Sequence, residues 1–217
     1  MSQLIHNLIF ILNDSSYRLH WLGFLACQDV VEKARSFNEP VSNFGLHDQR
    51  TAFKWIHRFI PGFGGDPNHI TAFGESAGSG SIAFHMCSDV PLFNRAILMS
   101  GLPSTLSPIN LRHKEAEYRA LLGFCGIDEK DPDRLQKLRD VPVEKLVQSF
   151  MAVGMPMFHV YQDEVFFPRG FPTYFTENEL LAGCEWVDEI VIGDCFFEVS
   201  PSTIYWESQL TKSRVGQ

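Results

Sequence analysis

His69-Ile70-Thr71-Ala72-Phe73-Gly74-Glu75-Ser76-Ala77-Gly78-Ser79-Gly80-Ser81-Ile82-Ala83-Phe84 is the stretch on which the fold turns. Its first five residues are short and β-prone. Residues 74–78 then spell G-x-S-x-G, and Ala77 to Ser88 runs through small and apolar residues without a proline, as a helix would. A serine on a sharp strand-to-helix turn has its Oγ pushed out of the sheet and its neighbours' N–H groups gathered beside it. Gly74 and Gly78 are expected there because a Cβ at either position would collide with the turn. The pentapeptide alone is a weak signal, since a turn rich in glycine and serine, with Ser79, Gly80 and Ser81 following, explains the same letters. The strand before it and the helix after it favour a turn that carries a nucleophile.

Working outward, Asn7 to Leu12 reads as a buried strand, and residues 27–45 as a surface loop or short helix. Asp48 to Ile60 has helical period. Ala52, Phe53, Ile56, Phe59 and Ile60 fall on one face, Gln49, Arg50, Lys54 and His57 largely opposite, and Pro61-Gly62 stops it. Gly64 to Pro67 is a turn into the strand at 69–73. Ala96 to Met99 and Glu189 to Gly193 are further buried strands. Helices are expected over Glu115–Phe124, Asp133–Arg139 and Pro142–Met151, the last with proline in its first turn. Residues 154–176, rich in Pro, Phe and Gly, read as irregular. Strand–helix–strand alternation with continuous apolar strands predicts an α/β protein with a mostly parallel sheet and flanking helices, as one domain over residues 1–217.

Composition excludes several classes. The 217 residues can bury a core, and 18 Lys+Arg against 26 Asp+Glu give a formal net charge of −8. That charge argues against nucleic acid or an anionic membrane as a partner. No stretch approaches the roughly 20 apolar residues of a membrane span. Leu8 to Leu12 lacks the basic flank and cleavage site of a signal peptide, so the default localisation is cytoplasmic. The five cysteines, Cys27, Cys87, Cys125, Cys184 and Cys195, have no metal-site spacing and read as buried free thiols.

Seven groups of residues then occur in a fixed order: Tyr17-Arg18-Leu19, Gly23-Phe24-Leu25, Asn43 to Gln49, Trp55-Ile56, Phe63 to Pro67, Gly74 to Gly78, and Arg95 to Gly101. This run closely resembles the carboxylesterase type B family, which includes carboxylesterases, cholinesterases and related lipases. The resemblance is dense over residues 17–101 and patchier after. It implies a partial α/β-hydrolase fold, with a helical and irregular insertion over residues 103–180. It implies strands before the helix at 48–60, before the turn, at 96–99 and at 190–192. Ser76 matches the nucleophile, and Ala77 the residue whose backbone N–H forms one wall of the oxyanion hole. Glu75 stands where the family also has Glu, with a bracing role. Glu198 matches the triad acid, although Phe197 and Val199 replace the family's Asp and Gly; Asp194 is the second candidate. Cys125 falls where some members have a disulfide cysteine, but Lys137 occupies the partner position.

Two family features have no match. The Gly-Gly-rich oxyanion loop lies upstream of the Tyr-Arg strand, inside which this sequence begins. Its absence is expected to leave a gap in the sheet. The triad histidine lies roughly a hundred residues beyond the acid, whereas 19 residues follow Glu198 and none is histidine. Of the eight histidines, His85 is nine positions past Ser76, over 13 Å up a helix axis at about 1.5 Å per residue and on its far face. His69 is at the far end of the strand, His47 and His57 flank or lie on the polar side of a helix, and His159 sits in irregular chain. The resemblance implies acyl transfer on a small-molecule carboxylic ester without cofactor or metal, by a chain inactive on its own. A non-catalytic binding or scaffold protein of the same fold, or a gene fragment with no separate function, fits the same residues.

Overall fold

The computed structural model describes residues 11–37, 39–103, 107–153, 159–168 and 184–195. Three strands, β1 (Thr71–Glu75), β2 (Arg95–Met99) and β3 (Glu189–Gly193), lie side by side in that order, all parallel. Their register forms rows across the sheet. Ala72 stands beside Ala96 and Ile190, and Leu98 beside Ile192, on one face. Phe73, Ile97 and Val191 make the matching row on the other. On the first face lies α4 (Ala77–Met86), whose Ile82, Ala83 and Met86 pack against Ala72, Ala96 and Leu98. This is the β–α–β unit that the apolar strands and short crossover predict.

Seven elements precede or flank it. Asn43, in the left-handed conformation with φ 53°, starts α3 (Phe44–Phe59). Its side chain donates to the Tyr161 carbonyl at 2.8 Å and accepts from the Tyr161 N–H at 2.9 Å, tying the 159–168 segment to the helix start. Pro61 turns the end of α3 into a 3-10 turn over Ile60–Phe63, which Gly64 closes at φ 86°. Earlier, α1 (His20–Phe24) and α2 (Gln28–Phe37) lead into a second core with α5 (Leu111–Cys125), α6 (Arg134–Arg139) and α7 (Val143–Ala152). Trp21, Cys27, Tyr118, Leu121, Leu122 and Leu138 fill it. The Trp21 indole donates to Ser149 Oγ at 2.7 Å, so the one polar atom of that ring is satisfied. Lys114 and Glu117 are both buried in α5, paired at 2.9 Å.

The structure departs from the sequence reading at several places. Ile11 and Leu12, the described part of the expected strand at 7–12, are irregular, and Leu12 is 76% exposed. Among the described residues no strand precedes α3, so the sheet has three strands where the resemblance implied four. Residues 27–45 hold α2, and Cys27, Val31, Ala34, Val41, Ser42 and Asn43 are buried rather than on the surface. In α3 the start lies four residues earlier than the period suggested. Gln49, assigned to the polar face, is buried, while Phe59 is exposed. Pro142 is the N-cap of α7, not a first-turn residue. None of the five cysteines is in a disulfide, but Cys195 is exposed and Cys87 and Cys125 only half-buried.

Candidate functional site

At the end of β1 the chain turns through Glu75 and Ser76 directly into α4. Ser76 is the N-cap of that helix, with φ 52° and ψ −116°, a conformation a residue with a Cβ rarely adopts. Three backbone contacts hold it. The Ser76 N–H donates to the Met99 carbonyl at 2.8 Å, and the Ser76 carbonyl accepts the first helical hydrogen bond, from Gly80 N–H at 3.0 Å. The third is steric: a Cβ on Gly101 would lie 2.8 Å from the Ser76 carbonyl carbon. Gly74 is required for the same kind of reason, since a Cβ there would lie 2.6 Å from the Gly78 carbonyl carbon. The Gly78 expectation is corrected, because a Cβ at that position would meet nothing within 4 Å.

Ser76 and Ala77 are exposed, and helical bonding begins only at Gly80, so the Ala77 and Gly78 N–H groups have no partner within the helix. A hydroxyl therefore stands beside free backbone donors at the positive end of α4, an arrangement able to receive negative charge developing on a substrate oxygen. Glu75 is exposed, and its side chain makes no hydrogen bond among the described residues. The brace expected of it is supplied by Met99 and Gly101, which the pentapeptide pattern could not show. Their only sequence signal was Ser100-Gly101 closing the next strand. Asp194 follows β3 at an exposed position, and Glu198 lies outside the described residues.

The histidines are engaged elsewhere. His57 meets the Leu92 carbonyl at 2.9 Å, His69 the Asp66 carboxylate at 2.7 Å, and His113 the Asn110 side chain at 2.9 Å. His159, the one in irregular chain, is held 3.3 Å from Glu117 of α5. The His20 ring packs tilted against Phe150, with centroids 4.5 Å apart. His85 is fully buried, its Nε2 3.0 Å from Gln49 Oε1, and His47 packs edge-on to Phe166 rather than on a polar face. Burial, helped by the nearby Arg50 charge, pushes the imidazole pKa of His47 down to about 4 and that of His85 to about 3. None of these seven rings bonds the Ser76 hydroxyl; His6 lies outside the described residues. No group of three or more His, Cys, Asp and Glu side chains that could hold a metal ion occurs among the described residues.

Comparison with known proteins places this turn in a family. The sequence profile of the carboxylesterase family matches residues 2–182. A carboxylic ester hydrolase of Gibberella moniliformis is 33% identical over 180 residues, covering 75% of this chain and 33% of that protein. An inactive carboxylesterase-like protein of Byssochlamys spectabilis is 35% identical over 147 residues, covering 64% of this chain and 24% of that protein. A solved PNB esterase superposes with a TM-score of 0.65 and 27% identity, covering 87% of this chain and 41% of that one. The chain thus spans between about a quarter and a third of the length of these curated relatives. The profile match, the shared identity and the common strand–turn–helix agree that the chain has part of an α/β-hydrolase fold and belongs to the carboxylesterase family.

Proposed function

We propose that Ser76 is the acyl-accepting nucleophile of a carboxylic ester hydrolase, and that this chain lacks the base to turn it over alone. The observation that carries the reading is the conformation of the turn, which sets an exposed serine hydroxyl at the N-terminus of α4 with free N–H donors beside it. In the forward step Ser76 Oγ attacks the carbonyl carbon of a small-molecule ester. The Ala77 N–H receives the oxyanion, and collapse expels the alcohol and leaves an acyl-serine for water to cleave. The serine proton must pass to a base and then to the leaving alcohol. Glu198 would orient that base; five of the described histidines bond other groups, and the rings of His20 and His47 pack against Phe150 and Phe166.

A serine without its histidine loses on the order of 10⁶ in turnover. The isolated chain is therefore expected to hydrolyse p-nitrophenyl butyrate no faster than Ser76→Ala does. A small fluorophosphonate at high concentration and long exposure is expected to label the wild-type chain slowly, with the label lost in Ser76→Ala. Absence of any label on folded protein would sink the nucleophile reading. The similarity to a relative named as inactive favours a second reading, a non-catalytic binding protein of the same fold. It predicts a discrete partner whose binding survives Ser76→Ala.

A further inference from the structure

The exit of β2 crosses directly over the turn. Its tripeptide Met99-Ser100-Gly101 touches the candidate nucleophile on one side and the end of β3 on the other. Met99 accepts from the Ser76 N–H at 2.8 Å, and a Cβ on Gly101 would lie 2.9 Å from the Ser76 Cα. Ser100, itself at φ 50°, donates its N–H to the Gly193 carbonyl at 2.9 Å. Beyond Gly193 the chain runs on through Asp194 toward Glu198.

One side chain fixes this crossing from the helix side. Ser79, in the first turn of α4, has no exposed surface, and its Oγ donates to the Gly101 carbonyl. That is not what a helical serine ordinarily does. Ser81, two residues on, shows the common habit: its Oγ bonds the Ala77 carbonyl one turn back in its own helix at 2.8 Å. The Ser79 hydroxyl instead leaves the helix for a residue 22 positions away. We propose that Ser79 is a positioning residue for Ser76. By holding the Gly101 carbonyl it keeps the exit of β2 pressed on the turn, and so keeps the serine in a conformation its own backbone disfavours. The same bond fixes the strand end whose Ser100 N–H meets the Gly193 carbonyl. The inference rests on the nucleophile reading for its effect on reactivity, and on the geometry alone for its effect on the turn.

The test compares Ser79→Ala with Ser81→Ala, each of which removes one helical hydroxyl. Amide hydrogen exchange at Ser76 and Ser100 is measured relative to Leu121 and Leu122 of α5, together with the rate of fluorophosphonate labelling. In Ser79→Ala the relative exchange at Ser76 and Ser100 is expected to rise tenfold or more and labelling to slow about tenfold. Ser81→Ala is expected to stay within twofold of wild type on both. Equal exchange in the two variants overturns the proposal. If the exchange contrast holds but wild type takes no label, the nucleophile reading fails and the support of the turn by Ser79 stands. Should Ser79→Ala not fold, Ser79→Cys, which keeps the volume with a weaker donor, carries the same comparison with the same deciding outcome.

Discussion

Gly74 and Gly78 look equivalent in the pentapeptide, two positions either side of the serine, yet they do different work. At Gly74 a Cβ would meet the Gly78 carbonyl carbon at 2.6 Å, its oxygen at 2.8 Å and the Ser79 nitrogen at 2.9 Å, all backbone atoms of the helix start. Such atoms yield only if the turn itself moves, so Gly74→Ala is expected to destabilise by about 1–3 kcal/mol. At Gly78 a Cβ meets open space inside a helix, where alanine is the better residue by up to about 1 kcal/mol. Urea midpoints of the two variants should therefore move in opposite directions, and a fall of similar size in both would refute the distinction. The pattern could not separate them. A Cβ clash depends on how closely helix and strand approach, and letter spacing does not encode that distance. The place of Ser76 on a strand-to-helix turn was legible because the strand, the glycine and the helix are each local signals. Gly101 was not, because its role comes from a contact with a residue 25 positions earlier in sequence.

At the scale of elements, the interface between α3 and α4 carries the polar groups that periodicity misassigned. Gln49 reads as solvent-facing because it is polar, but it is buried where His85 of α4 needs a partner. Around them, Arg50 Nε and Nη2, His47 Nε2 and His85 Nδ1 are buried with no hydrogen-bond partner among the described residues. Arg50 lies 4.2 Å over the Phe166 ring, which also meets both imidazoles. Burial first and the Arg50 charge second keep His47 and His85 neutral, with pKa values of about 4 and about 3 against an ordinary 6.5. These folded values lie below the unfolded one, so at acid pH the unfolded chain binds the protons more readily. The stability the two rings contribute is complete above about pH 6.5 and is lost progressively as the pH falls from there toward their folded values. At pH 5 the loss is about 2 kcal/mol for each ring that keeps its depressed pKa. Urea unfolding should show a lower midpoint at pH 5 than at pH 7. His85→Gln, which retains a donor to Gln49 and cannot titrate in this range, should reduce that difference by about half, leaving the His47 share. An unchanged slope with pH in that variant would show that His85 does not contribute to it.

Across the whole molecule, the sheet shows what the strand sequences implied and what they did not. Runs such as Ala96-Ile97-Leu98-Met99 and Ile190-Val191-Ile192 are apolar on both alternations, the mark of a parallel sheet covered on two faces. That gave the strands and their parallel order correctly. The covering is a property of other elements, however, and here α4 lies on one face only. On the other, the row Phe73, Ile97, Val191 runs across all three strands, with Phe73 56% and Val191 58% exposed. Both outer strands also leave an edge without a partner among the described residues. Among the described residues the sheet thus displays an apolar row on one face and two unpaired strand edges. Contiguous apolar surface and bare edges both favour association. The isolated chain is expected to bind a hydrophobic dye while folded and to sediment as a mixture whose mean mass rises with concentration. Phe73→Lys with Val191→Lys places two cations on that face without entering the core under α4. The pair should return the sedimentation toward monomer and reduce dye binding, while moving the urea midpoint by no more than about 0.5 kcal/mol per exposed site. If the double variant associates as strongly as wild type, the open face is not the surface that brings the chains together, and the unpaired edges of β1 and β3 become the place to substitute next.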